Sequence, residues 1–168
     1  MENDIKATAY HEAGHAVVAH VCGRRFKSIT IEPKDNTAGS VKFYDKLAVL
    51  RIIDGTHPSD WLSLHKDEAE RIVDRHIFSA MAGHIAQEMA FPGSVEPWQW
   101  ENDREDLLDI LIASDPDSGW DRAKAEAEAL LSSNWHLVER LAEALLSRRT
   151  LTGKEARAIL LGEPRAGR

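Results

Sequence analysis

Apolar side chains recur at helical spacing from the start of the chain. Ala7, Tyr10, Ala13, Gly14, Val17, Val18 and Val21 follow intervals of three and four, which predicts a helix over 4–22. Gly23 before Arg24 and Arg25 marks its end, since glycine takes the left-handed conformation that closes helices and cations suit their C-termini. The period then changes. Ser28-Ile29-Thr30-Ile31-Glu32 is β-branched and alternating, and Pro33 stops it. A turn-forming run at 35–39 leads into Ser40-Val41-Lys42-Phe43-Tyr44, so 28–32 and 40–44 are expected to form an antiparallel pair. Two strands alone are marginal, so the pair must lie against helices.

Residues 46–63 mix the turn signals Asp54-Gly55 and His57-Pro58 with apolar positions and fit no single period. Helical spacing returns over 66–91 through Ala69, Ile72, Val73, Ile77, Ala80, Met81 and Ala86, and Pro92-Gly93 ends it. A loop at 92–101 holds Trp98 and Trp100. A short helix at 103–114, a turn at 115–119 and one long helix at 120–148 follow. Thr152-Gly153-Lys154-Glu155 reads as a capping box opening a last helix to Leu161. The expected fold is mostly α, a helical bundle with a small antiparallel β element over 1–161, with 162–168 a flexible tail.

Composition narrows this. At 168 residues the chain suits one domain, and 43% apolar with 29% charged residues suits a globular one. Twenty-eight acidic against 21 basic residues give a net charge of −7, which argues against nucleic acid or an anionic membrane as partner. Much of the acid lies in 101–147, read as a solvated face. The single cysteine, Cys22, cannot form an internal disulfide and reads as a space-filling residue. No apolar run approaches the ~20 residues that span a bilayer, and no leader pattern is visible, so a cytoplasmic location is expected. No Gly-x-x-x-x-Gly-Lys phosphate loop occurs in these residues.

His11-Glu12-Ala13-Gly14-His15 carries the chemistry. On a helix, side chains at i and i+4 project from one face, so both imidazoles can reach one zinc ion. Glu12 lies one step round the helix, placed to take a proton from a metal-activated water. A catalytic zinc usually has a third protein ligand. Val18 and Val21 stand where the extended metzincin pattern needs Gly and His, so the third ligand must come from further along. His76, His84, Glu88, Asp103 and Asp106 are the candidates. Gly14, costly inside a helix, suggests close approach of another element.

Residues 8–19, Thr8-Ala9-Tyr10-His11-Glu12-Ala13-Gly14-His15-Ala16-Val17-Val18-Ala19, closely resemble the zinc-site helix of the FtsH-type AAA metallopeptidases. Ile29-Thr30-Ile31-Glu32-Pro33 with Gly39-Ser40-Val41 is similar to that family's strand pair, and 82–88 to its Gly-Arg-Ala-Ala-Glu helix. Asn134-Trp135 and Leu151-Thr152-Gly153-Lys154-Glu155 resemble its C-terminal helices. The resemblance implies a zinc endopeptidase with His11, His15 and an aspartate as ligands and Glu12 as general base. Asn102-Asp103 matches the family's Asn-Asp pair and makes Asp103 the preferred third ligand; Asp106-Leu107 is the rival match. The chain departs from the pattern at Trp100-Glu101, His84 and Gln87. His76 and His84 are read as partnered structural histidines.

The expected function is zinc-dependent cleavage of unfolded or flexible polypeptides. The expected partners are the polypeptide substrate and either a separate ATPase or further copies of the chain. The alternatives are a non-catalytic binding module of the same fold, and a regulatory metallopeptidase resembling the antirepressor proteases, for which a glutamate third ligand would speak.

Overall fold

The structure, a computed structural model, describes residues 2–34, 37–44, 51–52, 64–95, 107 and 119–163. It is mostly helical with one small sheet. Helix α1 spans Glu2–Val21, strand β1 Phe26–Thr30, strand β2 Ser40–Phe43 and helix α2 Lys66–Ala90. Helices α3, Gly119–Ser133, and α4, Trp135–Arg148, lead to strand β3, Thr150–Thr152, and helix α5, Gly153–Leu160. Among the described residues no helix is long and apolar enough to cross a membrane.

Helix α1 is the centre of the molecule. It packs most extensively on α2 and then α4, and it also touches α3, β1 and β2. Residues 11–19 are all buried, including Ala16 and Ala19, which lie outside the expected stripe. A helix enclosed on every side has no solvent face to make it amphipathic, so its spacing alone under-reports its core. At its end Gly23 adopts φ 74° and donates to the His20 carbonyl, while the Arg24 N–H donates to that of Ala19. This is the glycine-closed terminus expected from the sequence. Tyr10 sets α1 against its neighbours, its ring 5.4 Å from Phe91 and 5.9 Å from Trp135.

The sheet has three antiparallel strands in the order β2-β1-β3, with Ile29 paired to both Val41 and Leu151. β1 begins at Phe26, two residues before the expected start, because Phe26 pairs with Phe43 across a register shift. It ends at Thr30, whose hydroxyl accepts the Glu32 N–H and turns the chain. β3 was not expected: three residues carry too little alternation to register as a strand.

The helix expected over 120–148 is two helices. Ser132, Ser133 and Asn134 are side chains that compete with the backbone for hydrogen bonds. Asn134 does so, its amide donating to the Leu130 carbonyl at 2.8 Å. The capping box holds: the Glu155 N–H donates to the Thr152 hydroxyl, and the Thr152 N–H to the Glu155 carboxylate. Of the helix expected at 103–114, Leu107 alone is described; it is helical and fully buried.

Candidate metal centre

His11 and His15 point their Nε2 atoms at each other across 3.0 Å, with ring centroids 4.7 Å apart. What lies behind each ring explains why. The His15 Nδ1 is 2.6 Å from the Ser79 carbonyl oxygen, which can only accept, so Nδ1 carries the proton. The His11 Nδ1 is 3.2 Å from Gln87 Oε1. The Gln87 amide nitrogen donates to the Ser94 carbonyl at 3.0 Å, which fixes the amide with its oxygen toward His11. Both Nδ1 atoms therefore donate, and both Nε2 atoms present lone pairs. Two facing lone pairs at this separation call for a cation, a proton or a metal ion. Zinc bonds of ~2.0–2.1 Å at a tetrahedral angle would set the nitrogens roughly 3.3 Å apart, close to what is seen. Carbonyl-held imidazoles are also the usual arrangement of metal-binding histidines.

Helix α2 supplies this backing from one stripe. Ser79, Gly83 and Gln87 are spaced by four and share a face. A Cβ on Gly83 would collide with His15 Nε2 and come within 2.7 Å of His11 Nε2. The missing side chain lets the two rings lie against α2 with their Nε2 atoms facing each other, and that facing pair of donors fits a metal ion. Gly14 allows the helices to close: a Cβ there would stand 2.5 Å from the Ala86 Cβ and 2.6 Å from the Ala82 carbonyl. That is the close approach inferred for Gly14.

Glu12 is 5% exposed, between α1 and the turn before β2. A Cβ on Gly39 would lie 2.7 Å from Glu12 Oε1 and 2.8 Å from the Thr30 carbonyl, so the start of β2 runs directly against the carboxylate. On the far side of Ser79, Arg24 is buried. Its Nη1 donates to the Ser79 hydroxyl at 2.5 Å and its Nη2 to His76 Nδ1 at 2.9 Å, while its guanidinium lies 3.5 Å from the Phe43 ring centroid.

Two comparisons with known proteins bear on this geometry. Residues 4–51 match the family model described as Peptidase M50B-like. The chain is also 27% identical over 203 aligned positions to the protein named ATP-dependent zinc metalloprotease FtsH 4 of Sorangium cellulosum (strain So ce56). That alignment covers 96% of this chain and 30% of the relative, so the chain spans under a third of the relative's length. Both matches support a zinc-metallopeptidase-type family.

The residues expected from sequence are placed as follows. His11, Glu12 and His15 come together on buried α1. His76 is engaged by Arg24 away from the Nε2 pair, and His84 is half-buried on α2. Glu88 is exposed and accepts the Gly93 N–H at 2.9 Å. Asp103, Asp106, Trp98 and Trp100 lie outside the described residues. Among the described residues no group of three or more His, Cys, Asp or Glu side chains is arranged to hold a metal ion. Sequence reasoning gave Ser79, Gly83, Arg24 and Gly39 no part in holding His11, Glu12 or His15, and treated Gln87 only as a departure. The signal available was the polar–glycine–polar stripe at 79, 83 and 87 within an otherwise apolar face.

Proposed function

We propose that this chain is a zinc-dependent metalloendopeptidase of FtsH-like type that hydrolyses peptide bonds in unfolded or flexible polypeptides. The observation that carries the reading is the convergent His11 and His15 Nε2 pair, backed by Ser79 and Gln87 and admitted against α2 by Gly83. In this reading His11 and His15 hold the ion with Asp103, or alternatively Asp106, as third ligand. Bound zinc supplies Lewis acidity toward a water and a peptide carbonyl. Glu12 takes the proton from the attacking water and hands it to the leaving amine. Its burial between α1 and the turn at Gly39 keeps its carboxylate in one place for both transfers. The substrate lies extended along β2, an edge among the described strands, where backbone pairing would bring a peptide past Glu12. A separate ATPase or self-assembly would deliver unfolded chain.

The test is casein cleavage by zinc-loaded protein beside Glu12→Gln. The variant should retain zinc, measured by mass spectrometry of the metal, and lose at least ~10²-fold in rate. Cleavage by Glu12→Gln at the wild-type rate would sink the assignment. Asp103→Asn and Asp106→Asn should separate the two ligand candidates, the true ligand losing zinc.

A further inference from the structure

Beyond Glu12, β2 and the start of β1 beside it carry a group of cations that the proposed hydrolysis does not use. The Tyr44 ring, directly after β2, has the Arg25 guanidinium 5.5 Å and the Lys27 ammonium 5.2 Å from its centroid. The Tyr44 N–H donates to the Arg25 carbonyl at 3.3 Å and holds the two segments together. Val41 and Phe43 pack on the core, so Lys42 between them stands on the other face. Arg25, Lys27, Lys42 and Tyr44 are all exposed. Among the described residues none of the three cations forms an ion pair with a carboxylate. The cluster is also anomalous in charge. Residues 24–44 hold five cations (Arg24, Arg25, Lys27, Lys34, Lys42) and two acids (Glu32, Asp35), a net +3 in a chain of net −7.

We propose that Arg25, Lys27, Lys42 and Tyr44 form a subsite for acidic side chains of a polypeptide lying along β2. The inference rests on the peptidase reading and names its substrate class. Gly39, against Glu12, is three residues from Lys42 and five from Tyr44, about 10–17 Å at strand spacing. The acidic side chains therefore sit three to five residues to one side of the cleaved bond. Charge complementarity chooses the occupant: carboxylates match the three exposed cations, and the Tyr44 ring covers their methylene stems. An extended nucleic acid would meet the negative remainder of the chain.

The experiment uses Glu12→Gln, which can bind without cutting. Fluorescein-labelled unstructured peptides share one centre and carry a run of Asp, Gln or Lys on either flank; binding is followed by anisotropy. The Asp peptide should bind on the order of tenfold tighter than the Gln peptide, as two or three exposed ion pairs allow. That preference should fall below threefold when Lys27→Gln and Lys42→Gln are added, and it should fade with salt. Equal affinity for all peptides, no binding of any, or a single-stranded oligonucleotide binding as tightly as the Asp peptide overturns the subsite. Asp-selective binding, lost with the lysines, in a chain whose wild type cuts no peptide leaves the subsite standing and sinks the peptidase reading instead.

Discussion

At position 83 the absence of a side chain decides where the two histidine rings can lie. Alanine in place of a helical glycine ordinarily stabilises by up to ~1 kcal/mol. Here the added methyl would occupy the space beside both Nε2 atoms. Gly83→Ala is therefore expected to push both buried rings off Ser79 and Gln87, lowering the melting temperature while its zinc content after gel filtration falls to a small fraction. Full zinc occupancy in that variant would falsify the metal-centre assignment. Cys22 is the opposite kind of residue. Burial pushes its thiol up, with Arg75 pulling partly the other way, so the folded chain holds less thiolate at pH 8 than the unfolded one. Iodoacetamide should modify it several-fold more slowly in the folded protein than in denaturant, the rate following the thiolate fraction. His11, Glu12 and His15 were legible because helix geometry alone relates them. Ser79 and Gln87 were not, because their contacts span 64 and 76 residues of chain and depend on how α1 lies against α2.

Between elements, the α1–α2 contact sets the site. Gly14 falls between the two histidines, and Ala82 and Ala86 close on it. A methyl at 14 has no flexible neighbour to displace; it meets a Cβ and a backbone carbonyl. Gly14→Ala should therefore destabilise by roughly 1–3 kcal/mol, propensity notwithstanding, as overpacked cores do. Urea denaturation checks this. The two glycine variants should thus lose stability and zinc together, since parted helices would also draw the rings from Ser79 and Gln87. Element reading from sequence succeeded where the signal is local, as at the Gly23 terminus and the Thr152–Glu155 capping box. It failed at Asn134, where an apolar period continues across a real break, and at β3, which exists because β1 lies beside it.

Across the whole molecule, Arg24 joins what the sequence separates. It follows the end of α1, lies over Phe43 of β2 and donates to His76 and Ser79 of α2. The Ser79 carbonyl in turn holds His15. A buried cation bonded to two side chains cannot be replaced by an apolar one without orphaning its partners. Arg24→Met, close in length, should lose about 3 kcal/mol in urea denaturation, a cost typical of breaking one side of a buried polar cluster. That loss alone would show only a structural role. Zinc supplies the discriminating measurement, because a ligand bound by the folded state adds RT ln(1 + [L]/Kd) to stability. If Arg24 positions His15 through Ser79, the stability added by a fixed excess of zinc should shrink in Arg24→Met, with zinc affinity down about tenfold, the scale of an outer-shell change. An unchanged zinc increment on a less stable protein would mean that Arg24 fastens the fold together and leaves the metal centre untouched.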